Sequence, residues 1–554
     1  MKLQHALLAA VSIGAVLAPN AQAAEKKHAK PHHHHTAPAA KSSESVVLKS
    51  EVEELKAQVT ALREEIKAQR ETVATTQTAV AQTQVQVTQT QQQVGSLSQS
   101  VAETPKLAKA AADTEVASAI EKEHAKGYID FKGIRITPGG FLELAGVYRQ
   151  HYQGNDIASS FSVPFPNAHN YYVGEGRFTA RQSRLSFLAQ GKPSEHTTLS
   201  MYGEFDFQGA AQTANSNESN SYNPRIRVLY GQVDWDRGDS GIHFLAGQSW
   251  SLATLQGKGL TPRSEVIPLV IDAQYVPGFA WTRNPGVRLT ADFADHHLWI
   301  GASVESPATL FGGTVPSTVT SSITGGSGYN SANSLTLNSV PDFIEKVAYQ
   351  GDIAGHALHI EGMAIERTAT ARVNGQYNVN KGSAGFGGGV TLQAVPKVFD
   401  LQFSYLGGKG IGRYGSTQLP DVTFDADGSI HAIKETIMLG GAVLHPTSML
   451  DVYGYAGEEF ESALPLSGSY GIGNLAANDS GCFTEGGTCG GNTRAIRQIT
   501  AGLWQKIYSG SFGRAQVGLQ YDYTQRELFV SNNSNGVPRV NQNMGLISFR
   551  YYPF

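Results

Sequence analysis

Long apolar runs are the first thing missing from this 554-residue chain. Beyond an N-terminal stretch ending at Leu17, nothing approaches the ~20 consecutive apolar residues that a membrane-spanning helix needs. That excludes a helical membrane protein. Charge of one sign is also scarce: 43 Lys and Arg stand against 47 Asp and Glu, a formal net charge of −4, which offers nothing to nucleic acid. Cysteine is limited to Cys482 and Cys489. Two cysteines with no neighbouring histidine do not make a structural zinc site, and in an oxidising compartment they read as a disulfide closing a loop tip. Catalytic patterns are absent too. His243, His297 and His359 are scattered with no serine motif beside them. The Gly-rich run Ala384–Gly389 reads as a strand start or tight turn, because no helix pattern follows it to offer an anion site. The expectation is a protein that is not an enzyme and holds no cofactor or metal.

What is present begins with an export signal over residues 1–23: Lys2, an apolar run Ala6–Leu17 and a small-x-small site at Ala21-Gln22-Ala23. A His-rich polar linker, 24–44, follows, with His28 and His32–His35. Residues 45–104 carry a heptad array. Val52, Val59, Ile66, Val73, Val80, Val87, Val94 and Val101 lie seven apart, and the intervening d positions run from Leu48, Leu55 and Leu62 through Gln69 and Thr76 to Leu97. A lone helix would expose this seam, so the pattern predicts a parallel coiled coil with other copies of the chain. β-Branched a positions with Leu at d favour two strands, whereas the central Val/Thr and Val/Gln layers resemble trimeric stalks; the reading here is three. Pro105 interrupts the helix, and 105–127 forms a short helical linker.

From Gly139 to Phe554 the period changes to two. Leu199, Met201, Gly203, Phe205 and Phe207 share one face, while Ser200, Tyr202, Glu204, Asp206 and Gln208 share the other. Sixty glycines, 22 tyrosines and 23 phenylalanines accompany this alternation, as suits strands with lipid on one side and water on the other. Residues 128–554 therefore read as an all-β transmembrane antiparallel β-barrel of about 16 strands, preceded by the α-helical coiled coil. The stretches 209–224, 306–341, 407–432 and 461–493 suit extracellular loops. Tyr453, Tyr521, Tyr523 and Tyr551 suit a lipid-facing aromatic girdle. Pro553 suits a strand end, where no donor is needed.

Four segments occur in a telling order: Ala180-Arg181-Gln182-Ser183-Arg184-Leu185-Ser186-Phe187, Tyr202-Gly203-Glu204-Phe205-Asp206-Phe207, Arg225-Ile226-Arg227-Val228-Leu229-Tyr230-Gly231 and Ala246-Gly247-Gln248-Ser249-Trp250-Ser251. They resemble the DcaP-like porins, and the phosphate-selective porin family looks similar in architecture. The likeness is sharpest over about residues 128–295. It implies a trimeric outer-membrane channel with a periplasmic coiled coil and an inward-folded loop that narrows the pore.

Alternation assigns the wet face. Arg184 points inward; Arg225 and Arg227 share a face opposite Ile226, Val228 and Tyr230; Arg288 opposes Val287 and Leu289. The constriction is expected from 251–286, which carries Lys258, Arg263, Asp272 and Arg283, with Glu204, Asp206 and Asp234 as opposing negative charge. Arginine suits this task because its planar fork holds a carboxylate or phosphate bidentately. The resulting expectation is a homotrimeric porin in a Gram-negative outer membrane. It sits in outer-membrane lipid and passes small anionic solutes such as organic acids by diffusion. The alternatives are a structural tether joining membrane to periplasmic or cell-wall partners, and a phosphate-selective porin.

Overall fold

The computed structural model describes residues 127–159, 161–209, 223–324 and 334–554, with scattered residues between 53 and 95. The signal segment, the His-rich linker, nearly all of the 105–127 linker and the heptad a and d positions lie outside the described residues. The chain divides into two units, Met1–Val116 and Ala117–Phe554. In the first, the described residues from Glu53 to Gly95 are helical and exposed, and Lys56 pairs with Glu53 at 3.1 Å, one turn away.

The second unit is a closed antiparallel barrel of sixteen strands: β1 (Ile134–Arg149), β2 (in two segments, Glu175–Thr179 and Arg184–Ser194), β3 (Thr197–Gly209), β4 (Asn223–Asp236), β5 (Gly241–Trp250), β6 (Arg283–Phe293), β7 (Leu298–Glu305), β8 (Asp342–Ile353), β9 (His356–Val373), β10 (Asn378–Val395), β11 (Phe399–Lys409), β12 (Lys434–Thr447), β13 (Leu450–Glu461), β14 (Thr493–Gly510), β15 (Gly513–Leu528) and β16 (Arg539–Tyr552). Each pairs with its successor, and β16 returns to β1 with Tyr551 opposite Leu142. No edge is left unpaired, which disposes of every backbone donor and acceptor along the wall. Turns of two to four residues join strands at one end, and the long connections, 251–282 and 462–492 among them, gather at the other. Among the described residues no helix is long and apolar enough to cross a membrane.

The two faces are inverted relative to a soluble protein. Leu142, Leu144, Leu289, Ile300 and Val347 point outward and are exposed, while Glu143, Lys346, Asp522 and Ser548 point inward and are buried. Two expectations need correction. Tyr453 is not in the outer girdle: it is 2% exposed and its hydroxyl donates to Gln520 Oε1 at 3.0 Å inside the lumen, because Gly454 and Ala456 take the outward side of β13. Ala384–Gly389 is neither a strand start nor a turn but the middle of β10. Its glycines make room for loops packed inside, since a Cβ on Gly389 would lie 2.5 Å from Leu255 Cδ1.

The lumen is filled chiefly by the loop 251–282. It leaves β5, crosses to the diametrically opposite wall and returns to β6. Its Ile271, Tyr275, Val276 and Phe279 pack with Trp250 from its root and with Leu439, Tyr453, Tyr455 and Trp504 from β12–β14. Each such burial stabilises by about 1.5–3 kcal/mol relative to exposure. Hydrogen bonds fix the register: Trp504 Nε1 donates to the Leu269 carbonyl at 2.7 Å, and the Gly278 N–H to Glu459 Oε1 at 2.7 Å. Contact with the wall is flush: a Cβ on Gly457 would lie 1.8 Å from the Pro277 carbonyl oxygen. From above, Asp272 accepts from the Ser159 hydroxyl at 2.5 Å and the Ser159 N–H at 3.1 Å, tying the loop to 150–174.

Candidate pore constriction

Strand alternation alone brings Glu204 and Asp206 inward from β3, but their arginine partners stand where they do because β4 is irregular. Glu204 pairs with Val228 and Phe205 with Ile226, so Arg227 is an extra residue, a β-bulge. The bulge corrects the expected face split. Ile226 stays outward, but beyond the bulge Val228 and Tyr230 turn inward and are buried in the lumen cluster.

The carboxylates are closely held. Arg225 grips Asp206 bidentately, Nε to Oδ1 at 3.0 Å and Nη2 to Oδ2 at 2.8 Å. Arg227, 2% exposed, donates from Nε to Glu204 Oε1 at 2.5 Å, from Nη1 to Asp206 Oδ2 at 3.0 Å and from Nη2 to the Tyr275 hydroxyl at 3.1 Å. Arg184 approaches Glu204 only to 3.9 Å. Buried pairs of this geometry are structural fixtures, since removing one partner strands the other.

Arg283 is different. It opens β6 directly opposite Trp250, with its guanidinium 4.9 Å over the indole ring and Nη1 without a hydrogen-bond partner. Arg227 lies 6.0 Å from the same ring. Arg184, Arg225, Arg227 and Arg283 thus outnumber Glu204 and Asp206, leaving positive charge unneutralised. The Tyr275 hydroxyl on the loop registers it: burial pushes its pKa up, but Arg227, Arg184 and Arg283 outweigh burial and bring it down to about 8.

The other expected residues fall elsewhere. Arg263 is exposed on the crossing loop in the left-handed region, 5.7 Å over Tyr202. Arg288 is buried and ties the loop root by donating to the Trp250 carbonyl. Asp234 lies nearer the short-turn end, 2.7 Å from His243 Nδ1, and does not oppose the arginines. Across the barrel, seven to eight strands from β4, Glu435 on β12 and Glu461 on β13 face each other in register beside Glu459, all three buried beneath the loops. Sequence reasoning missed further buried arginines. Arg149 pairs with Glu175, and Arg550 with Glu143; both stand at inward positions that alternation marks. Arg413, paired with Asp342 from the loop 410–433, had no such signal. Cys482 and Cys489 form a disulfide in 462–492, and that tip is clasped to 150–174 by the Asn167 N–H donating to the Cys482 carbonyl at 3.0 Å.

No family model matches the sequence, and no curated protein is similar to it. Solved structures are similar in shape. The outer-membrane channel DcaP of Acinetobacter baumannii superimposes with a TM-score of 0.55 at 14% identity, covering 77% of this chain and 99% of that one. The barrel has the fold of the DcaP channel. Lesser similarity extends to OmpT, an outer-membrane protein of Vibrio cholerae (10% identity, 77% and 99% covered, TM-score 0.41), and to an anion-selective porin from Comamonas acidovorans (11%, 76% and 99%, 0.42).

Proposed function

We propose that the protein is an outer-membrane porin, forming a homotrimer, that passes small anionic solutes such as organic acids by diffusion. Its coiled coil extends into the periplasm. The observation that carries the reading is the surplus of arginine over carboxylate at the root of the crossing loop, with the Arg283 guanidinium short of hydrogen-bond partners. A solute carboxylate entering there replaces part of its hydration with guanidinium donors, as selective passage requires. Binding stays weak because Arg225 and Arg227 are already engaged by Asp206 and Glu204.

The test is the reversal potential of the purified protein in a planar bilayer under a salt gradient. An anion-selective conductance, reduced by dicarboxylates on the loop side, supports the reading. A cation-selective pore refutes the constriction assignment. No conductance from a folded oligomer refutes the porin and favours the tether.

A further inference from the structure

The outward face of β11–β15 carries a feature that the pore does not use. Register sets Phe403, Gly440, Ala456, Ile499 and Tyr523 in one row, and Leu401, Ala442, Gly454, Ala501 and Tyr521 in the next towards the short turns. Strands β12 and β13 therefore present only glycine and alanine there, between Phe403, 47% exposed, and Ile499, 63% exposed. The outcome is an apolar groove of about 410 Å³ on the wall. Its floor is open: a Cβ on Gly440 would meet nothing nearer than 4.0 Å.

The groove's loop end is charged. One row up, Arg497 pairs with Glu458 at 2.6 Å. Beyond it Glu527, almost fully buried, gathers Arg494 at 2.5 Å, Arg497 at 3.1 Å and Arg539 at 2.6 Å. Three guanidinium groups meet two carboxylates, and their fifteen or so N–H donors exceed the bonds those carboxylates accept. All three arginine side chains remain at least 36% exposed.

We propose that this face binds a lipid with a phosphorylated headgroup, its acyl chain in the groove and its phosphate on the Arg494–Arg497–Arg539 cluster. The proposal rests on the outer-membrane reading, which turns the long loops outwards and sets these arginines at the headgroups of the outer leaflet. A groove alone would not select a lipid, because bulk acyl chains are as apolar as its walls. Selection comes from the arginine forks, which match phosphate oxygens in pairs, while the glycine and alanine floor fixes where the chain lies.

Native mass spectrometry of the full-length oligomer, titrated with lipid A and with the same lipid dephosphorylated, tests this. The wild-type protein binds the phosphorylated form about tenfold more tightly, as expected for charge-assisted bonds. Arg494→Gln with Arg539→Gln abolishes that preference. Gly440→Leu, which fills the groove from an open position, weakens both forms while bilayer conductance stays at the wild-type value, so failure here is separable from failure of the pore reading. Equal affinity for the two forms, or unchanged binding by Gly440→Leu, overturns the proposal. A Gly440→Leu oligomer of altered size with unaltered lipid binding also overturns it and gives the face to a second copy.

Discussion

Replacing Arg283 by Gln removes the arginine least compensated by neighbouring carboxylates, without stranding a buried acid. An ion passing ~6 Å from the guanidinium in water-like surroundings feels ~0.7 kcal/mol, and a medium of half that dielectric constant doubles it. Screening at ~0.1 M salt, with a Debye length of ~10 Å, trims these values by nearly half. Anions lose this attraction and cations lose an equal repulsion, so the permeability ratio shifts by about 0.8–1.5 kcal/mol, roughly four- to thirteenfold. Arg227→Gln behaves differently, because it takes from Glu204 its one close guanidinium, leaving Arg184 at 3.9 Å, and halves the pairing of Asp206, at a cost of about 3 kcal/mol. That variant loses folded protein before it loses selectivity. The assay is the reversal potential of each variant in a planar bilayer, alongside the temperature at which the folded species disappears from an unheated gel. A well-folded Arg283→Gln pore with a ratio within about twofold of wild type refutes the reasoning, as does an Arg227→Gln protein of undiminished stability.

The Tyr275 hydroxyl is neutral below about 8 and anionic above it, so anion preference falls as pH rises through that value. The Tyr275→Phe pore keeps its preference across the same range, and an identical pH response in both proteins would remove the hydroxyl from the account. Gly457→Ala forces its Cβ against the Pro277 carbonyl oxygen and costs about 1–3 kcal/mol of strain; a lowered unfolding temperature with raised single-channel conductance is expected, and no change in either contradicts the flush packing. Asp272→Ala unties the crossing loop from 150–174, so open-channel current noise rises, and noise equal to wild type assigns the anchoring elsewhere. Deleting 24–126 leaves a folded barrel but weakens the proposed trimer; native-gel mobility of an undiminished trimer would make the coiled coil dispensable for assembly.

The barrel was legible because period-two alternation is a direct consequence of pleat geometry, and a wall apolar outside and polar inside imposes it strand after strand. Leu185 outward and Arg184 inward follow from that alone. Legibility failed where the backbone departs from the pleat. The bulge at Arg227 reversed the assignment of Val228 and Tyr230, and no local residue preference announces it. Tyr453 misled because tyrosine suits either an interface or a lumen hydrogen bond, and the choice depended on its neighbours Gly454 and Ala456. The cluster of buried carboxyls was invisible for a third reason: Glu435, Glu459 and Glu461 come to lie across the barrel from the arginines only through closure, and two hundred or so intervening residues hide that relation. The mid-strand glycines at Gly385 and Gly389 looked like punctuation, whereas they leave space for Ile411 and Leu255 of two loops packed inside the barrel.

The pairing of Leu142 with Tyr551 bears on how this molecule comes into being. The first strand cannot find its second neighbour until the last is in place, so no wall can seal while any strand is outstanding. Most of a two-faced sequence must then be kept from collapse or misassociation until that moment, since contacts so remote in the chain form slowly. The greasy half of each strand is a hazard in water and an asset only in lipid. Sealing and membrane entry are therefore best viewed as one event, and an escort that releases the chain too early would deliver an aggregate.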